Sequence, residues 1–359
     1  MLALPRPVLL SGDVYTSASR TPWGGTRLVK HFGKRGDVQA RIGESWELSL
    51  GPELPSRTRE GQSLAHVVET DRDDWLGPFG DRAAGLLVKL LDADEPLSLQ
   101  IHPRDDHAGL APEESGKPEA WYVIHAEPGA WIAFGWREGA RREDVLGALA
   151  RGDGSLAELL QRVEVSVGDC FVVDAGTPHA IGSGVTLVEP QYVARGKRGV
   201  TYRYWDWERR YDDEGRLAAT GRPRALHVEP AIEVTDWDAV GRALLERSFR
   251  RAGPPRRDAE LEFELLAGQP GSPNASALES IPSEWLRIVR IAGTGEKPFF
   301  HGETLHSLTV LEGVGVLRDR RREVVVRAGP GDTIAIPARH DELWLTGERL
   351  HAIRASIEP

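Results

Sequence analysis

The chain has 359 residues, 45 basic against 55 acidic, and a formal net charge of −10. That balance excludes the broad basic face a nucleic-acid binder needs to neutralise phosphates, and no stretch approaches the roughly 20 apolar residues of a membrane span. Apolar residues make up 40% of the chain, enough to bury the cores of two domains, and a single cysteine, Cys170, excludes an internal disulfide. One thiol and no export signal point to the cytoplasm.

The first apolar run, at 1–10, is interrupted by Pro5 and Pro7 and does not read as a signal segment. Strands are predicted at 86–91, 97–101, 121–124 and 131–134, the last two joined by the turn Glu127-Pro-Gly129. Then the period changes. Val145, Leu146, Leu149, Leu156, Leu159, Leu160 and Val163 fall at helical spacing, broken by Gly152-Asp-Gly154, which predicts two short amphipathic helices within 137–163. Strands resume at 170–173 and 185–189. The polar stretches 211–224 and 268–274 read as loops. After about 228 the pattern returns to short strands, at 286–291, 308–311, 324–326, 333–336 and 343–345. A domain boundary is expected at 225–240, giving units 1–230 and 231–359. The 39 glycines and 24 prolines that punctuate these runs fit a mainly β sandwich or barrel.

Three clusters carry chemistry. In Leu97-Ser-Leu-Gln-Ile-His-Pro103, strand alternation turns Gln100 and His102 to one face, with Ser98 beside them. Gly116-Lys-Pro-Glu-Ala-Trp-Tyr122 places Glu119 at the start of the next strand. Gly168 to His179 ends in Ala175-Gly-Thr-Pro-His179, a turn that delivers His179 from a separate strand. Taken singly, His102 is an ordinary strand histidine and Glu119 an ordinary surface carboxylate. Together, two imidazoles and a carboxylate from different strands suit a borderline divalent ion such as zinc. A neutral Gln100 oxygen could complete the shell. Three or four protein ligands leave a position for water or substrate, as a catalytic metal requires.

These segments resemble a known family. The order of a histidine motif, a following glutamate and a Gly-rich motif ending in histidine is similar to the cupin pattern. More specifically, Pro96-Leu-Ser-Leu-Gln-Ile-His-Pro103, Gly116-Lys-Pro-Glu-Ala-Trp-Tyr122 and Ala175-Gly-Thr-Pro-His-Ala-Ile-Gly182 resemble the type I mannose-6-phosphate isomerases in their compact bacterial form. Pro22-Trp-Gly-Gly25, Ile42-Gly-Glu-Ser-Trp-Glu47 and Thr201-Tyr-Arg-Tyr-Trp-Asp-Trp207 extend the likeness over residues 10–230. The resemblance implies two cupin (jelly-roll β-barrel) domains, the first catalytic and with the helical insertion; the second reads as metal-free, because Ala338-Arg-His340 replaces the Gly-x-x-His ending and no glutamate follows His301 and His306 with the first domain's spacing. It implies one divalent metal ion, most simply zinc, on Gln100, His102, Glu119 and His179. It gives Arg203 a catalytic role and makes Lys117 and Glu189 pocket residues that act on substrate. The implied reaction is aldose–ketose isomerisation between mannose 6-phosphate and fructose 6-phosphate through an enediol.

One stretch departs from the family. Between Gln191 and Thr201 the chain carries Tyr192-Val-Ala-Arg-Gly-Lys-Arg-Gly-Val200, longer and more basic than the usual segment. It is either a solvated charged turn or a phosphate clamp of Arg195, Lys197 and Arg198 beside Ser98. The expected partner is a small sugar phosphate, with neither nucleic acid nor membrane, and the chain acts as a monomer or homodimer. Two other functions stay open at this level. One is a different cupin metalloenzyme, such as another sugar-phosphate isomerase or an iron oxygenase. The other is a non-catalytic sugar-phosphate-binding protein.

Overall fold

A computed structural model describes residues 4–269, 280–299 and 302–358. The far part of the expected 268–274 loop, and His301, lie outside the described residues.

Among the described residues the fold is mainly β, in three antiparallel sheets and one small parallel pair. The first sheet has six strands: β2 (Glu44–Leu48), β3 (Leu86–Ala93), β6 (Glu119–Ala126), β9 (Asp169–Val173), β11 (Val185–Tyr192) and β14 (Phe249–Arg251), in the order β14-β9-β6-β11-β3-β2. The second has five: β4 (Leu99–Ile101), β7 (Trp131–Trp136), β8 (Leu160–Glu164), β10 (His179–Ile181) and β13 (Tyr202–Trp205), in the order β13-β4-β10-β7-β8. These two face each other. Trp121 and Val123 of the first sheet meet Ile132, Phe134 and Ile181 of the second in one buried cluster.

Period-two alternation along β6 serves two cores at once. Glu119, Trp121 and Val123 turn into the first barrel, while Ala120, Tyr122 and Ile124 turn outward against Ile288, Leu311, Ile353 and Ala355 of the third sheet. That third sheet holds β1 (Val8–Leu9), β15 (Glu262–Ala267), β16 (Leu286–Phe299), β17 (His306–Asp319), β18 (Val324–Ala328), β19 (Thr333–Ile336) and β20 (Leu343–Ile357). Its interior is a further apolar cluster around Leu308, Val310, Leu317, Ile334 and Leu345. The remaining pair, β5 (Glu114–Ser115) with β12 (Arg198–Gly199), ties the basic loop to the segment before Glu119.

The 137–163 insertion is half as helical as its spacing predicts. Arg142–Arg151 is an α-helix (α5), ended by Gly152 in a left-handed conformation. The second predicted helix is instead a 3-10 turn, Ser155–Leu159, running straight into β8. Leu156 and Leu159 are three apart, as a 3-10 turn also demands, and Val163 pairs with Ile132 of β7. The stretch after 228 also differs from expectation, for α6 (Val228–Glu233) and α7 (Gly241–Ser248) precede the strands. Three short helices near the N-terminal half, α2 (Leu64–Thr70), α3 (Arg72–Leu76) and α4 (Gly80–Ala83), and a one-turn helix α1 (Arg27–His31) had no sequence signal. No helix among the described residues is long and apolar enough to cross a membrane.

Candidate metal centre and cleft

Three strands bring the predicted ligands together. His102 follows β4, Glu119 opens β6 and His179 opens β10, and all three are almost fully buried. In the sheet registers His179 lies opposite Gln100, and Glu119 opposite Gln191. The turn that carries His179 is tied directly to the first ligand, because the Gly176 N–H donates to the His102 carbonyl at 2.9 Å. Gly176 has φ +83°, and a Cβ there would lie 3.0 Å from both the Asp236 nitrogen and the Val234 carbonyl oxygen, so the turn needs glycine.

Both imidazoles are oriented by backbone carbonyls. Nδ1 of His102 faces the Val200 carbonyl at 3.0 Å, and Nδ1 of His179 faces the Thr177 carbonyl at 2.8 Å. If each Nδ1 carries the proton, each Nε2 is left as a free lone pair. The two Nε2 atoms lie 3.3 Å from opposite oxygens of Glu119. One ligand atom from each residue lies within 4.8 Å of the others, and among the described residues this is the one such cluster of histidine, cysteine and carboxylate groups. Nε2 of His102 is buried with no aligned hydrogen bond, an arrangement that costs free energy unless something else occupies its lone pair. The donor set and this orphaned nitrogen fit a divalent ion.

The electrostatics agree. Burial pushes both histidines below the ordinary imidazole value, His179 to about 3, so both stay neutral as metal ligands must. Burial alone would raise Glu119, yet the Lys117 ammonium beside it holds it well below the usual carboxylate range. Lys117 Nζ is 3.2 Å from a Glu119 oxygen, and Gln191 Nε2 donates to the same oxygen at 3.0 Å. Gly116 allows this approach, since a Cβ there would sit 2.7 Å from the Pro103 carbonyl oxygen.

The cluster borders a cleft of about 730 Å³ that is also lined by Ser98, Gln100, Lys117, Glu189 and Arg203. The Gln100 amide nitrogen donates to Ser98 Oγ at 3.1 Å, and Arg203 Nε donates to the same hydroxyl at 3.1 Å. Glu189 accepts from the Trp121 indole at 3.1 Å, and burial together with the charge of Glu119 raises its carboxyl far above the ordinary range. For Lys117, burial favours the neutral amine, but Glu119, Glu189 and Glu44 outweigh it and the ammonium is favoured.

The basic loop reaches the same cleft through Arg195, Lys197 and Arg198. Two of its cations are engaged. Arg195 donates to Asp81 at 2.7 Å and to Glu69 at 2.8 Å, and Arg198 pairs with Glu114. Lys197 is exposed and has no acidic partner among the described residues.

Sequence reasoning did not find Lys89 and Glu44, which also line the cleft. Lys89 lies opposite both Trp46 and Glu189 in the first sheet, 4.5 Å above the Trp46 ring and 3.7 Å from Glu44. The available signal was one lysine inside the apolar run 86–91.

Comparison with known proteins agrees with the site. Residues 14–127 match the model of the type I phosphomannose isomerase catalytic domain. The mannose-6-phosphate isomerase of Streptococcus mutans is 37% identical over 216 residues, 59% of this chain and 63% of that protein. ManA, the mannose-6-phosphate isomerase of Bacillus subtilis, is 37% identical over 223 residues, 61% of this chain and 65% of that protein. The matched stretch thus spans just under two thirds of either relative. The likeness in fold is more extensive: a crystal structure of a Bacillus subtilis mannose 6-phosphate isomerase superposes with a TM-score of 0.71 at 24% identity, covering 98% of this chain and 99% of that one. The catalytic-domain match over residues 14–127 and these relatives make the N-terminal part of the chain similar to the type I phosphomannose isomerases, and the three converging side chains lie at or within that part of the fold.

Proposed function

We propose that the chain is a metal-dependent mannose-6-phosphate isomerase, converting mannose 6-phosphate to fructose 6-phosphate and back by moving a proton between C1 and C2 through an enediol. The observation that carries this reading is the meeting of His102, Glu119 and His179, the last two lining a cleft that also presents Lys117 and Arg203. The likeness to the type I phosphomannose isomerases supports it.

His102, Glu119 and His179 would hold one divalent ion, with the Gln100 amide oxygen as a fourth donor. Two imidazoles and a carboxylate favour zinc. Such an ion would supply a Lewis acid that polarises the sugar oxygens. The remaining work falls to the chain. Arg203 is assigned to the oxygen on which charge builds, a role worth about 3 kcal/mol for one well-placed donor. Lys117 holds its proton firmly, which supports a role as a fixed positive charge rather than as a base. Glu189 has the raised carboxyl that a proton carrier working near neutral pH requires, so we assign the transfer between C1 and C2 to it. The phosphate is placed against the basic loop, with Lys197 as the cation left for it and Ser98 beside Arg203 on the floor. Arg195 and Arg198, tied to their own acids, shape the loop and add to its field.

The test is direct. Zinc-loaded protein incubated with mannose 6-phosphate is expected to yield fructose 6-phosphate, followed by NMR in deuterated water, and His102→Ala is expected to yield none. Sugar-phosphate binding without any turnover refutes the enzyme reading. Full turnover by metal-free His102→Ala refutes the mechanism.

A further inference from the structure

We propose that His227 is a positioning residue for Arg203, holding that arginine in place from the open side of its strand. The proposal rests on the reading of Arg203 as the group that stabilises charge on the sugar.

β13 is the edge strand of the second sheet, and Arg203 lies opposite Gln100 on its inner neighbour β4. Among the described residues no strand pairs with the outer side of β13 to take up the Arg203 backbone. An edge leaves such N–H and C=O groups unpaired unless something else covers them. Both are taken by one residue. The Arg203 N–H donates to Nδ1 of His227 at 3.1 Å, and the His227 N–H donates to the Arg203 carbonyl at 2.8 Å. Two residues earlier, the Ala225 carbonyl accepts from Arg203 Nη1 at 2.9 Å. The segment 225–227 therefore grips Arg203 at three points, while Ser98 holds Nε from the cleft side.

The placement of His227 argues that its side chain serves this contact and not its own helix. His227 is the N-cap residue of α6, where Ser, Thr, Asp or Asn would normally bond a free backbone N–H of the first turn. Its imidazole makes no such bond. It turns instead to β13, half-buried, with the Tyr202 ring centred 6.2 Å away. Nδ1 accepts, so the ring proton resides on Nε2. The far side of the segment is anchored too: Arg224 donates Nε and Nη2 to Asp206 at 2.7 and 2.6 Å. A rigid brace behind a residue that meets the reacting oxygen is what an arginine aimed at developing charge needs. A misplacement of about 1 Å can cost on the order of 100-fold in rate.

The test compares His227→Ala with His227→Asn, whose amide oxygen can occupy the Nδ1 position and which also suits a helix N-cap. For His227→Ala we expect kcat for mannose 6-phosphate to fall by about 10- to 100-fold. KM should stay within about twofold, and zinc content should be unchanged. His227→Asn should recover most of kcat. A crystal structure of His227→Ala should show the Arg203 guanidinium displaced beyond hydrogen-bond distance of Ser98 Oγ. The proposal is overturned if His227→Ala keeps kcat, or if His227→Asn restores thermal stability without restoring kcat. It is also overturned if Arg203 is unmoved in the crystal. If the wild-type protein does not isomerise mannose 6-phosphate at all, the proposed function fails, and the position of Arg203 in the variant still decides whether His227 is its brace.

Discussion

Metal binding at His102, Glu119 and His179 should be visible as stabilisation, independent of any activity. A ligand that binds only the folded protein adds RT ln(1 + [L]/Kd), about 2.7 kcal/mol at a free concentration 100 times Kd. Unfolding entropy of about 2.1 cal/mol/K per residue gives a 359-residue chain roughly 0.75 kcal/mol per degree, so this stabilisation raises Tm by about 4 °C. His102→Ala removes one of three ligands whose donor atoms lie within 4.8 Å of one another. Loss of a hydrogen-bond partner behind a ligand already costs 10- to 100-fold in affinity, so loss of the ligand costs at least about 100-fold. At the same free zinc, [L]/Kd is then near 1, the stabilisation falls to about 0.4 kcal/mol, and the shift is about half a degree. The assay is differential scanning fluorimetry on protein stripped with chelator and titrated with buffered zinc. An equal shift in wild type and His102→Ala, or none in wild type, refutes the site.

Asp206 is 4% exposed and accepts from Arg224 and Arg209, so Asp206→Ala, which strands both guanidinium groups, should destabilise by about 3 to 5 kcal/mol in urea melts. Burial raises its carboxyl, but the two arginines outweigh that and hold it below the ordinary value; its stabilisation is therefore present above the unfolded carboxyl pKa and is lost as pH falls through the lower folded one, an acid dependence the variant should lack. Gly176→Ala should lower stability by about 1 to 2 kcal/mol from backbone strain alone and weaken zinc binding, read by melting with and without zinc, because the same turn carries His179. Lys197→Ala should raise KM for the sugar phosphate by about tenfold at low salt and leave kcat unchanged; equal KM in both proteins removes the loop from phosphate binding. Zinc binding near neutral pH should release a proton that Glu189→Gln does not release, measured by calorimetry in buffers of different ionisation enthalpy. The imidazoles are already neutral and Glu119 already ionised, which leaves the raised Glu189 carboxyl as the side-chain source.

The convergence of the three candidate ligands was legible because each sits where a strand meets a proline- or glycine-marked turn: His102 before Pro103, Glu119 after Pro118, His179 after Gly176-Thr-Pro178. Local alternation then fixes the face. Lys89 was not legible, because β3 is buried along its whole length and shows no alternation to say which way a charge points. The helices after 228 are six and eight residues long, too short for a 3.6-residue period to repeat convincingly. The pairing of Val8–Leu9 with β19 joins residues more than 300 positions apart, and no local pattern encodes such a contact. His227 reads in sequence as an ordinary loop histidine; only the edge position of β13 makes its imidazole a substitute strand.

The charges lining the cleft explain why such a site can fold before it meets a metal. Glu44, Lys89, Glu189, Lys117 and Glu119 come from β2, β3, β11, the link before β6 and the start of β6, and all border one cleft. Among these five groups alone, Arg203 standing on the second sheet, three carboxylates against two ammonium groups leave one negative charge in excess in a poorly solvated place. The raised carboxyl of Glu189 removes it, because with that proton in place the two remaining carboxylates balance the two lysines. A dication alters this balance by two units and makes an ionised Glu189 favourable again. The same carboxyl that balances the metal-free cleft is then the one poised to give up and regain a proton. On this argument, the buried charges that make the cleft costly to fold are also what tune Glu189 for proton transfer, and removing either lysine should disturb both properties together.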